Sequence, residues 1–220
     1  QSRLVMQTSD GLLADETEAR LPLMKAFTHH AAAGDIDGDG DVDIYMANIF
    51  NEARIGPRFY INDGTGHFSQ DDTRIPRAIR ELERRYTASA LVDIDRDGDL
   101  DLALGGHPAF SQSGRDALLL NDGRGFFVDA PATWMPMTGR DASWGTVAMA
   151  AEDINGDWWP DLLMAAQSGP GNAATIEVLL NSGAVSKNGV CDLQMQDVSS
   201  RVQQSWPANV WAMWIHPADF

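Results

Sequence analysis

Short apolar stretches recur along the chain in pairs, each pair split by a polar turn. Ala31-Ala32-Ala33-Gly34, Ser89-Ala90-Leu91-Val92 and Ala148-Met149-Ala150-Ala151 come first in their pairs. Ile44-Tyr45-Met46-Ala47, Leu102-Ala103-Leu104-Gly105 and Leu162-Leu163-Met164-Ala165 follow. All read as strands, and the second set has the continuous apolar character of strands buried on both faces. Further on, Phe59-Tyr60-Ile61-Asn62-Asp63-Gly64-Thr65-Gly66-His67-Phe68 and Leu118-Leu119-Leu120-Asn121-Asp122-Gly123-Arg124-Gly125-Phe126-Phe127 place Asn-Asp-Gly between β-forming runs. Those turns supply the positive-φ residues that a tight hairpin demands. Leu179-Leu180-Asn181-Ser182-Gly183 repeats the hairpin in part, and the N-terminal Leu4–Leu13 stretch predicts another.

Between the paired strands stands a run of alternating acids. Asp35-Ile36-Asp37-Gly38-Asp39-Gly40-Asp41-Val42-Asp43 recurs from Asp93 and, in modified form, from Asp153, at an almost even spacing. The hairpin keeps its distance from the acids: Asn62 follows Asp35, Asn121 follows Asp93 and Asn181 follows Asp153 at nearly the same interval. A fixed internal offset means that one supersecondary unit is repeated. The unit has four antiparallel strands, with the acidic loop joining the first two and the Asn-containing turn joining the last two. The predicted fold is therefore all-β, a β-propeller of four-stranded antiparallel blades. Complete blades are expected at 29–76, 86–135 and 146–200, with 1–24 as the last strands of a preceding blade and 208–220 as the first strand of a following one. The chain reads as a segment of a larger propeller.

Carboxylates at positions 1, 3 and 5 of a loop, a glycine at 6 and an acid at 9 can wrap one hard cation in oxygen. Calcium fits best, because it accepts about six to eight oxygens in irregular geometry whereas magnesium demands a near-octahedral shell. The first loop would use the side chains of Asp35, Asp37, Asp39 and Asp43 and the backbone carbonyl of Asp41; the second, Asp93, Asp95, Asp97 and Asp101 with Asp99. An EF-hand places its bidentate glutamate at position 12 and runs into a helix, whereas here the acid is at 9 and a strand follows. The third loop has Asp153, Asn155, Asp157 and Asp161, with Trp158 in place of glycine and Trp159 at the carbonyl position. One charge fewer and a bulky residue at the turn predict weaker binding, so about three calcium ions are expected, the third held less tightly. Trp158 and Trp159 are candidates for packing against the next blade or for contact with a sugar or a protein.

These repeats resemble the FG-GAP/VCBS repeats of integrin alpha-subunit-like propellers, whose loops read Asp-x-Asp-x-Asp-Gly-x-x-Asp and whose hairpins read Asn-Asp-Gly-x-Gly-x-Phe. The resemblance implies a larger parent of about seven blades, in a secreted, cell-surface or periplasmic protein.

The net charge of −16 and the pI near 4.4 argue against a nucleic-acid partner or an anionic membrane surface, both of which would repel it. No apolar run approaches the length of a membrane span. No Gly-x-Ser-x-Gly elbow, His-Glu-x-x-His helix or Cys/His metal spacing occurs, and His29, His30, His67, His107 and His216 are scattered near strand ends and turns. The lone Cys191 reads as a small buried hydrophobe. Residues 74–85 place Ile75, Ile79 and Leu82 at helical spacing among five arginines, which predicts a short amphipathic helix or loop, either a solvated connector or a basic patch for an acidic partner. The expected role is a calcium-stabilised interaction or adhesion scaffold for protein or glycan. A structural subunit of a larger complex and the propeller module of a carbohydrate-active enzyme are the alternatives.

Overall fold

The computed structural model describes residues 2–22, 26–50, 56–80, 86–106, 116–136, 144–168, 173–183 and 193–202. Cys191, His107, His216, Leu82 and the strand expected over 208–220 lie outside the described residues. The chain opens with a hairpin of β1 (Val5–Gln7) and β2 (Leu13–Asp15). Three four-stranded antiparallel sheets follow in sequence order. The first holds β3 (Phe27–Gly34), β4 (Asp43–Phe50), β5 (Arg58–Asn62) and β6 (Phe68–Asp71). The second holds β7 (Tyr86–Val92), β8 (Asp101–Gly106), β9 (Ala117–Asn121) and β10 (Phe127–Asp129). The third holds β11 (Trp144–Glu152), β12 (Asp161–Ser168), β13 (Ala173–Asn181) and β14 (Met195–Asp197).

Every strand pairs with its sequence neighbour, so each sheet is a meander. The acidic run joins the first and second strands, and the Asn-containing turn joins the third and fourth. This is a propeller segment built of four-stranded blades. Helix among the described residues is limited to α1 (Thr17–Arg20), α2 (Arg77–Arg80) and a 3-10 turn at Ser199–Arg201. None of these is long or apolar enough to cross a membrane.

The core lies between blades, because a lone four-stranded sheet cannot bury both of its faces. Tyr45 and Phe59 of the first blade meet Leu102, Leu104, Leu119 and Phe127 of the second in one buried cluster. The rings of Phe59 and Phe127 stack at 5.0 Å, and Tyr45 meets Phe59 edge-on at 5.3 Å. A second cluster joins Ile94, Ala103, Leu118 and Trp134 of the middle blade to Met149, Leu162, Met164 and Leu179 of the third. Being covered on both sides, β8 is buried along its whole length. That is the physical basis of the continuous apolar run at 102–105. Sheet approach is close enough that a Cβ on Gly105 would lie 2.7 Å from Cγ2 of Thr146, so a side chain there would push the second and third blades apart.

The first strands neighbour one another and share a repeated irregularity. Register slips between Thr28 and His30, between Tyr86 and Ala88, and between Thr146 and Ala148. Each slip falls at the same distance ahead of the first acid of its loop, and such bulges bend a strand and increase its twist. Adjacent first strands are also joined by side chains. His30 Nδ1 lies 2.8 Å from Ser89 Oγ, and Thr87 Oγ1 donates to the Thr146 carbonyl at 2.7 Å. In the connector, Ile75 and Ile79 are buried in the cluster between the first two blades, so these two residues of its apolar stripe belong to the core and not to a solvated face. Among the described residues of the connector, helix covers the turn Arg77–Arg80.

Two outcomes follow from this packing. Phe127→Ala removes a ring from the first seam and should destabilise the protein by about 3–5 kcal/mol in chemical denaturation. Burial lowers the pKa of His30, so the unfolded chain takes up the proton first as pH falls. The contribution of the neutral ring is complete above the unfolded value of about 6.5 and declines below it. The melting temperature of the protein relative to that of a His30→Asn variant should therefore fall between about pH 7.5 and about pH 5.5.

Candidate metal-binding loops and the seams they hold

The acid at position 9 is the fixed point of each loop. Asp43, Asp101 and Asp161 open the second strand of their blades and are buried, at 1%, 1% and 0% exposure. In each, one carboxylate oxygen accepts the backbone N–H of loop position 2: Ile36 at 3.3 Å, Ile94 at 3.1 Å and Ile154 at 2.9 Å. The other oxygen accepts the N–H of the hairpin asparagine: Asn62 at 2.8 Å, Asn121 at 2.9 Å and Asn181 at 2.8 Å. One buried carboxylate thus holds loop and hairpin together. Burial raises the pKa of all three acids, and that of Asp101 is pushed up to about 7. Neighbouring acids add to the effect, Asp37 and Asp39 at Asp43, Asp95 and Asp97 at Asp101, and Asp157 at Asp161.

The remaining acids curl the loop around itself. Asp35 accepts from the N–H groups of Gly38 and Gly40, both at 2.9 Å, and Asp153 accepts from Gly156 and Trp158. Position 5 accepts from position 7 in all three loops, Asp39 from Asp41, Asp97 from Asp99 and Asp157 from Trp159. The side chains of Asp41, Asp99 and Trp159 lie over the hairpin glycines of their own blades, Gly64, Gly123 and Gly183. Position 6 needs a left-handed backbone. Gly40 and Gly98 meet that need with φ of 92° and 104°, whereas Trp158 holds φ of 74° with its side chain 80% exposed. For a bulky residue this conformation is strained.

Two groups of acids converge. Carboxylate oxygens of Asp35, Asp37 and Asp39, and of Asp93, Asp95 and Asp101, each come within 4.8 Å of one another. In the first group Asp37 Oδ1 is buried with no hydrogen-bond partner, and in the second Asp93 Oδ1 is likewise buried and unpartnered. An anionic oxygen withdrawn from water with nothing to satisfy it is costly, and a hard cation is the ligand such a donor set suits. Both loops therefore fit a metal ion. Asp43 and Asp97 stand in the same loops without joining these groups. In the third loop, Asn155 Nδ2 donates to Asp157 Oδ2 at 2.8 Å, and Asp153, Asp157 and Asp161 are not drawn into a comparable group.

The hairpin asparagines do more than turn the chain. Asn121 donates from Nδ2 to the Leu100 carbonyl of its own loop at 3.1 Å and to the Ile36 carbonyl of the preceding blade's loop at 2.8 Å. Asn181 repeats the inter-blade bond, to the Ile94 carbonyl at 2.8 Å. Asn62 reaches the Val42 carbonyl of its own loop at 3.2 Å. In the sequence, turn chemistry alone accounts for these residues; their constant offset from the acids is the signal of a second role. Beyond the third loop, Arg96 places its guanidinium 5.2 Å from the ring centre of Trp159, so Trp159 packs between its own hairpin and the second loop, while Trp158 projects into solvent.

A four-strand unit with an acidic loop after its first strand, wired to a hairpin asparagine, defines a class of repeat. The FG-GAP-like repeat model matches residues 35–104 and 93–164, more than half of the chain, and the protein belongs to that family. No curated protein sequence matches it.

Asn121→Ala removes both donated bonds and leaves the buried carbonyl of Ile36 unpaired. The expected loss is about 2–4 kcal/mol by equilibrium unfolding. Asn62→Ala, which breaks no inter-blade bond among the described residues, should cost less.

Proposed function

We propose that this protein is a calcium-stabilised propeller scaffold that works outside the cytoplasm, at a cell surface, in the extracellular medium or in a periplasm, and engages a protein or glycan partner. The unpartnered, buried Oδ1 of Asp93 within the Asp93–Asp95–Asp101 group is the observation that carries the calcium reading. Calcium would satisfy that oxygen and offset the repulsion among acids that are otherwise held together only by backbone N–H groups. Membership of the FG-GAP-like repeat family supports the scaffold role, and millimolar calcium outside cells suits sites of modest affinity. The side chains expected to hold calcium are Asp35, Asp37, Asp39 and Asp43 in the first loop and Asp93, Asp95, Asp97 and Asp101 in the second. Asp41 and Asp99 contribute backbone carbonyls. The third loop, with Asp153, Asn155, Asp157, Trp159 and Asp161, holds its ion less tightly.

The partner surface is assigned to the loops in which the repeats differ. Trp158 supports this: its strained backbone and 80% exposed indole sit where the other two loops carry glycine. A planar ring offered to solvent suits the apolar face of a sugar or a protein side chain.

At calcium about tenfold above the dissociation constant, each site contributes about 1.4 kcal/mol, and three contribute about 4. For a domain of this size that corresponds to a rise in melting temperature of about 8–16 °C. Differential scanning calorimetry in excess calcium and in excess chelator reads this directly. Asp93→Asn combined with Asp95→Asn should remove a third of the rise or more. An unchanged melting temperature on chelation would refute the calcium reading.

A further inference from the structure

Arg74 occupies the seam between the first two blades. Its guanidinium Nη2 lies 3.1 Å from Asp37 Oδ2 in the first acidic loop, and its Nε lies 3.2 Å from Asp71 Oδ2 at the end of β6. Nη1 donates to the Arg124 carbonyl at the tip of the second blade's hairpin at 2.8 Å. The side chains of Arg74 and Asp37 are only 13% and 14% exposed, and the guanidinium also sits 5.3 Å from the ring centre of Phe126. Passage of the arginine requires glycine at 125, where a Cβ would fall 2.1 Å from Nη1. An equivalent contact exists one seam earlier. Arg20 Nη1 donates to the Thr65 carbonyl at 2.7 Å, and Arg20 Nε pairs with Glu16 at 3.4 Å.

The next seam lacks the arginine. The Arg74 carbonyl accepts the N–H of Phe127, the first residue of β10, and the Trp134 carbonyl accepts that of Met195, the first residue of β14. Trp134 therefore stands in the place of Arg74, buried among apolar side chains. The first and second acidic loops carry aspartate at all five of positions 1, 3, 5, 7 and 9. The second does contain Arg96, but that guanidinium rests over Trp159, and the ion pairs found among the described residues do not link it to the loop acids. Arg74 thus places a cation against the first acid group, and among the described residues no ion pair does the same for the second.

We infer that Arg74 is a built-in counter-ion: it neutralises Asp37 and holds the first seam closed when the first loop has no calcium, and it lowers the calcium affinity of that loop below that of the second. Asp37 Oδ2 is the oxygen that Arg74 holds, and the unpartnered Oδ1 is the one left for the metal, so the arginine also fixes the orientation of the carboxylate. A fixed positive charge this close to a divalent ion weakens its binding on the order of tenfold even with substantial solvent screening. The two loops then fill in order, the second at lower calcium than the first. The inference rests on the first loop being a calcium site, as proposed above.

Isothermal titration with calcium separates these claims. With the third loop silenced by Asp153→Asn and Asp157→Asn in both, one variant carries Asp93→Asn with Asp95→Asn and leaves the first loop to titrate, and another carries Asp35→Asn with Asp39→Asn and leaves the second. The second loop should bind about tenfold more tightly; equal affinities, or a tighter first loop, would overturn the inference. Arg74→Met keeps the alkyl stem without the charge. It should tighten the first loop on the order of tenfold, leave the second within about twofold, and lower the melting temperature in chelator. Arg74→Lys, which keeps the charge but not all three contacts, should stay near the parent in the calcium affinity of both loops. A merely structural role predicts weaker calcium binding in Arg74→Met, and that result would also overturn the inference. Heat of binding from neither loop would instead remove the calcium reading itself, and this inference with it.

Discussion

The buried aspartate that closes each acidic loop is the constraint on which the other features depend. Asp43, Asp101 and Asp161 are withdrawn from water, yet each is placed where both carboxylate oxygens are taken by backbone N–H groups from two different segments. Those bonds fix the loop against the hairpin of its own blade. They do not remove the charge, and burial together with neighbouring acids lifts Asp101 to about 7. The arrangement is self-consistent in geometry and strained in electrostatics. A divalent ion would relieve that strain.

The seams inherit this local order. Because the loop and the hairpin are fixed relative to each other, the asparagine of one hairpin can reach the loop carbonyl of the blade before it, as Asn121 reaches Ile36 and Asn181 reaches Ile94. Aromatic and aliphatic side chains then fill the space between sheets. The stacked rings of Phe59 and Phe127 lie at one seam and Met149 and Met164 at the other. Arg74 adds an ionic contact to the first seam, while Trp134 fills the corresponding place at the second with an apolar ring. Two repeats of nearly identical local sequence are thus joined by chemically different contacts.

Much of this was legible in the sequence because the unit repeats. The strands at 44–47, 102–105 and 162–165, the loops between the paired strands and the Asn-Asp-Gly turns at 62–64 and 121–123 are local patterns. The nearly constant offset of each turn from its acids ties them into one blade. Long-range partners were not legible. Nothing near Arg74 in the sequence points to Asp37 or to the Arg124 carbonyl, and a segment with five arginines reads more readily as a solvated face. The bulges before each loop leave no compositional mark, since His29, Thr87 and Val147 have nothing in common. The buried role of Ile75 and Ile79 was hinted at by helical spacing, and Ile79 does lie in the helical turn at 77–80. Position 7 illustrates the opposite case, in which unlike residues, Asp41, Asp99 and Trp159, share one place over a hairpin glycine.

If calcium in the acidic loops locks each loop to its hairpin, the amides that cross that junction are protected by it. Native-state hydrogen exchange of the backbone N–H groups of Ile94 and Asn121, the two donors to Asp101, tests it most directly, because their exchange reports opening of that junction. Excess calcium should slow exchange at both amides, and at Ile36 and Asn62 in the first blade, relative to protein in chelator. Equal exchange at these amides with and without calcium would contradict it.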